Sequence, residues 1–252
     1  MVHPKKRAQR TLHELLEQTE NWDPAVFVRY QRSTWAPDTI TEDDAVQADI
    51  EFAEILKTIL LFFTESTHAQ EQWEFPGWHP DTFGCTLYAE AKKQGHTYRF
   101  GIDEHGFFIE TTLHSPLTIK FMSMEFWRRL IELDALGKLT LADLQTPTIP
   151  PENKAYRHLL TQGKAVLYQL IRNLVLIEAE GPDPEDSRVS IDFATLRVAW
   201  RDKDTSWEDL LQKGALAFQH LYQMNYLLYR HRYLSEHALL ARIRRHRNPP
   251  AE

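Results

Sequence analysis

Cys85 has His79 six residues before it and His96 eleven after it. A thiol with an imidazole within reach is the raw material of a nucleophile and its base. His79, Asp81 and His96 are also types that ligate metals if the fold gathers them. Against both stands the alternation of Cys85, Leu87, Ala89 and Ala91, which predicts a thiol on a buried apolar face, where it is inert. His13-Glu14-Leu-Leu-Glu17 lacks the second histidine of the zinc-protease helix motif, and neither G-x-G-x-x-G nor G-x-x-x-x-G-K occurs. One cysteine excludes an internal disulfide framework and any multi-cysteine zinc site.

A second constellation lies in the same stretch. Glu90 and Lys92, two positions apart on an alternating run, project from one strand face. With Pro80-Asp81 upstream, Pro-Asp…Glu-Ala-Lys is similar to the Pro-Asp…Glu-x-Lys signature of the restriction-endonuclease-like family, over residues 80–92. The resemblance implies that Asp81 and Glu90 hold Mg²⁺ or Mn²⁺ and that Lys92 positions or activates water for phosphodiester cleavage.

The elements that position these residues follow from periodicity. Residues 85–122 read as four strands of an antiparallel meander. Apolar sets at Cys85–Ala91, Tyr98–Ile102, Phe107–Leu113 and Leu117–Phe121 alternate with polar residues. A two-residue loop at Gln94-Gly95 pairs Glu90 with Arg99. The Asp103–Gly106 turn pairs Ile102 with Phe107 and Arg99 with Glu110, and a loop at His114–Pro116 pairs Glu110 with Lys120. These registers predict a solvated row of alternating charge, Glu90, Arg99, Glu110 and Lys120. Beside it they place an apolar strip of Tyr88, Phe108 and Met122.

Elsewhere helical patterns prevail. Thr11–Glu20 reads as a short helix, and Asp23-Pro24 starts another. Thr41 caps a long, buried helix to about Thr64, with three acids at its positive end. Ser123 starts a helix ending near Gly137. Residues 139–152 hold a short helical turn and a Pro-rich connection. Helical patterning resumes from Asn153 to about Ala179. Val189–Phe193 and Leu196–Trp200 read as a bulged strand or hairpin. Ser206 begins a long helix, and Ser235 caps a final one. The fold class is α+β: the meander packed on helices, then a mostly helical C-terminal half. It is one domain over residues 1–252, with a possible subdivision near 139–152.

Charge is uneven. The net is −7, but residues 1–10 carry +4 and residues 229–247 carry six Arg against one Glu, which leaves −15 over residues 11–228. An acidic body with basic ends suits intramolecular pairing, self-association or an acidic partner, and argues against a dedicated nucleic-acid binder because the body repels phosphates. The run Tyr226–Tyr233 with Arg242–Arg247 mixes aromatic and basic residues, a composition that binds single-stranded nucleic acid. The aromatic loop Trp73–Trp78 suits an interface. The longest apolar run, Ile59 to Phe63, is too short to span a bilayer, and no apolar signal core follows the basic N-terminus. The expected function is therefore a soluble, cytoplasmic, non-catalytic protein that needs no cofactor and binds another macromolecule, a protein first, in an immunity-type, regulatory or adaptor role. Trp73, Phe75, Trp78, Tyr88, Phe108 and Met122 are its expected contacts. The metal-dependent nuclease with Asp81, Glu90 and Lys92 is the alternative.

Overall fold

Thr41 begins the element around which the first sheet face is built. Its hydroxyl oxygen accepts the Asp44 backbone N–H at 3.2 Å, and Glu42, Asp43 and Asp44 occupy the positive first turn. The helix runs over Glu42–Ser66 and buries Phe52, Leu56, Ile59, Leu60 and Phe63, among others. The helix, expected to be buried, leaves Val46 and Ile50 exposed near its start. The computed structural model describes residues 12–19, 30, 38, 41–81, 84–103, 106–113, 122–142, 170–171, 194–201 and 206–247. The expected fourth meander strand with Lys120, the helix after Asp23, nearly all of the helix from Asn153 and the alternating run at Val189–Phe193 lie outside them.

Within the described residues the helices are α1 (Leu12–Thr19), α2 (Glu42–Ser66), α3 (Met124–Leu136) and α4 (Trp207–Arg247). The strands are β1 (Trp73–Glu74), β2 (Trp78–Asp81), β3 (Gly84–Ala91), β4 (His96–Asp103), β5 (Gly106–Leu113), β6 (Lys138–Ala142) and β7 (Ala194–Trp200). They form a seven-stranded sheet in the order β1-β3-β4-β5-β7-β6, with β2 also on β3. The class is α+β with an antiparallel sheet. The consecutive meander is β2-β3-β4-β5, so it starts one strand earlier than the sequence pattern suggests. After β5 the next neighbour in the sheet is β7.

Two registers differ in their agreement with expectation. On β4–β5, Ile102 faces Phe107 and Arg99 faces Glu110, as the turn predicted. On β3–β4, Ala91 faces His96 across a four-residue loop, so Arg99 faces Tyr88 and Glu90 faces Thr97. The cause is local. The Lys92 N–H bonds back to the Gln72 carbonyl at 3.0 Å and the Lys93 N–H to the Glu71 carboxylate at 2.8 Å, so neither pairs with β4. Gly95, at φ 68°, closes the loop onto the Ala91 carbonyl. The slip is two residues, so every side chain keeps its face.

The chain divides into two units. The first comprises Met1–Thr111, Ala135–Lys138 and Arg197–Gln219. Its core lies on one sheet face. Phe63 meets Phe100 edge-on at 5.2 Å, and the Phe218 ring lies 5.1 Å from Tyr98 and 5.7 Å from Trp73. The second unit comprises Thr112–Asp134, Leu139–Leu196 and His220–Glu252. There α3 buries Phe126, Leu130 and Leu133, and buried Asn225 donates to the Thr112 carbonyl at 3.3 Å.

Residues 138–142 form strand β6, and the rest of the stretch expected to hold a helical turn lies outside the described residues. One further expectation is corrected. Ser235 caps nothing: α4 passes through it unbroken to Arg247. No Gly or Pro lies between Ala215 and Arg247 to stop it.

Candidate functional site

Asp81 and Glu90 are held apart by the strand that was expected to join them. Asp81 faces Gly84 on β2–β3, and Glu90 lies six residues further along β3. At about 3.3 Å per residue their backbones are roughly 20 Å apart. One cation, with oxygen ligands at about 2.0–2.6 Å, cannot bridge that distance. Among the described residues no group of three His, Cys, Asp or Glu side chains is placed to hold a metal.

Glu90 has a different carboxylate beside it. Glu74 of β1 is its cross-strand partner, and Lys92 Nζ bonds to Glu74 at 2.7 Å and to Glu90 at 2.8 Å. The hydrogen bonds that the Lys92 ammonium donates to Glu74 and then Glu90 push it up to about 12. A lysine so stabilised stays charged at neutral pH and is a poor base. The cluster is an exposed ion triplet at the sheet edge. The sequence pattern puts Glu74 in the aromatic loop Trp73–Trp78, whereas Trp73–Glu74 form strand β1 on β3, a pairing that nothing local shows.

Cys85 is 1% exposed, and burial, with the Asp49 carboxylate adding to it, pushes the thiol up to about 12. Thiolate is effectively absent at neutral pH. His96 is buried opposite Ala91, at the far end of β3 from Cys85. The side chains of His79, Asp81 and Trp78 lie outside the described residues.

The aromatic set is not brought together. Trp73 turns onto the core face, against Tyr98 and Phe218. Phe75 is exposed, Tyr88 is half-buried, and Phe108 and Met122 are buried. The altered register puts Tyr88 in a row with Arg99 and Glu110, while Phe108 faces Gly101. The strip of Tyr88 and Phe108 therefore does not form.

The polar face has a different centre. The Glu110 side chain is 3% exposed, so this face is not simply solvated. Arg99 pairs with it from β4, and Arg197 Nη1 approaches from β7 at 3.6 Å. Arg197 also pairs with Asp103 and lies 3.9 Å over the Phe108 ring. A cationic neighbour reaches Glu110 from β7 in Arg197, while the expected partner Lys120 lies outside the described residues.

In the second unit, Arg129 Nη1 lies 3.2 Å from His220 Nδ1. A guanidinium only donates, so Nδ1 accepts and the neutral ring carries its proton on Nε2. Further along α4, Tyr226 is 40% and Tyr233 45% exposed, with half-buried Tyr229 between them and exposed Arg230 beside them. No family model matches the chain, and no curated protein or solved structure matches it either.

Proposed function

We propose that this chain is a non-catalytic, cytoplasmic protein that works by holding another macromolecule, with the distal half of α4 as its contact surface. One observation carries the reading: Tyr226 and Tyr233 stand exposed on a helix whose last nineteen residues bear six Arg against one Glu. Tyrosine and arginine contribute most per residue to macromolecular interfaces. The reading is supported by the dispersal of the catalytic candidates, since Asp81 is remote from Glu90, Lys92 is ion-paired and Cys85 is buried and protonated. Among the described residues no helix is long and apolar enough to cross a membrane.

The test is affinity capture from lysate of cells that express the protein, comparing wild type with Tyr226→Ser plus Tyr233→Ser. Both side chains are substantially exposed, so the pair of changes should leave the fold intact. Wild type is expected to retain a partner that the double variant loses. Equal recovery by both would remove the distal helix from the function.

A further inference from the structure

We infer that the distal half of α4 binds single-stranded nucleic acid. The inference rests on the binding reading above and names the class of partner. Tyr226, Tyr229 and Tyr233 follow at i, i+3 and i+7, which on an α-helix confines them to one narrow stripe. Tyr222, one turn earlier on that stripe, is 5% exposed. The stripe thus emerges from cover as the helix proceeds, while Leu228 on the opposite side stays buried.

The spacing of the rings fits stacking from outside. Tyr229 and Tyr233 have centroids 6.1 Å apart and are tilted 31°. Inserting a base between them needs two stacking distances of about 3.4 Å, slightly more than is there. Bases would therefore stack on the outward ring faces, where Tyr226 and Tyr233 are exposed. Beyond Tyr233 the helix continues to Arg247, about 21 Å at 1.5 Å per residue. Arg230, Arg232, Arg242, Arg244, Arg245 and Arg247 lie on this half against Glu236 alone.

Charge and rings together select the occupant. Six arginines against one glutamate over the last nineteen residues of the helix suit a polyanion, and an exposed tyrosine stripe suits one whose bases are unstacked. A duplex hides its base faces, and an acidic peptide has none. The remaining chain opposes a polyanion, with −15 over residues 11–228. Binding should therefore be confined to the helix and be steeply salt-dependent.

The experiment measures fluorescence anisotropy of labelled oligothymidylate with the full-length protein. Competitors are unlabelled duplex and polyglutamate. If four arginines meet phosphates, affinity falls about 50-fold between about 50 and 200 mM salt. Tyr226→Ser with Tyr233→Ser should weaken binding about tenfold or more without changing the salt slope. Arg242→Gln with Arg244→Gln and Arg245→Gln should flatten the slope. Circular dichroism and melting of each variant confirm that it is folded. Absence of binding at the lower salt overturns the inference, and so does a tyrosine variant that binds like wild type. Polyglutamate competing as well as the oligonucleotide also overturns it, but leaves the distal helix as a protein-binding surface. If the tyrosine variant in addition keeps its captured partner, both readings fall.

Discussion

Removing both arginines that face Glu110 should cost more than the two single removals together, and neutralising Glu110 should then restore much of the loss. Glu110 is nearly inaccessible to water, while Arg99 is 40% and Arg197 24% exposed. Each single variant leaves the carboxylate one cation. Arg99→Met should cost about 1 kcal/mol, because its own charge is half-solvated. Arg197→Met should cost about 1–2 kcal/mol, since its stem is kept but its contact with the Phe108 ring is lost. With both gone, a buried carboxylate has no counter-charge, and the cost rises to about 3–5 kcal/mol. Adding Glu110→Gln to that double variant removes the orphaned charge and should return roughly 2 kcal/mol. Urea unfolding at neutral pH, followed by fluorescence and circular dichroism and extrapolated linearly, gives the five stabilities, wild type included. A triple variant no more stable than the double would refute the reasoning, because the burial of the charge would then not be what the arginines offset.

The remaining predictions are simpler. A Cβ on Gly214 of α4 would lie 2.5 Å from Cζ of fully buried Phe63, so Gly214→Ala should destabilise by about 1–3 kcal/mol despite its better helix propensity, as read from the melting midpoint. Burial, with the Arg129 charge adding to it, holds His220 below the ordinary imidazole value of 6.5. The unfolded chain takes up this proton first, so its contribution is full above that value and is lost as pH falls below it. His220→Gln should give a flatter stability profile from neutral down to about pH 5. Cys85 should resist a thiol probe in the native protein and react at the rate of unfolding, and fast labelling under native conditions would contradict its burial.

What could be read from the sequence was what short-range chemistry decides. The caps at Thr41 and Ser123, the alternation of β3, β4 and β5, and the Asp103–Gly106 turn each depend on residues close in the chain. The β3–β4 loop was misjudged because its length is decided by Lys92 and Lys93 amides bonding to residues 71–72, which no turn rule sees. Parity survived because the slip was even, so the apolar face of Leu87, Phe100 and Ile109 was still assigned correctly. Arg197 was missed for another reason. It comes from a strand more than eighty residues after Glu110, and Lys120 offered a nearer positive charge. The aromatic and basic composition of distal α4 was legible because it is local to the run. The length of that helix was not, since Ser235 has the chemistry of a cap without the break that would make it one.

The interrupted path of the chain through the first unit has a consequence during synthesis. The ring of Phe218, which covers Tyr98, Phe63 and Trp73, is made about 120 residues after Tyr98. At about 5–20 residues per second, the ribosome leaves that sheet face without this cover for roughly 6–24 s. Meanwhile β3, β4 and β5 can pair, since their turns are short, but the hairpins must persist with Phe100 and Tyr98 lacking part of their final packing. A nascent chain stalled before residue 207 is thus the form most exposed to aggregation and to chaperone capture. Truncations from the C-terminus should lose solubility abruptly once they reach Phe218, rather than in proportion to the length removed.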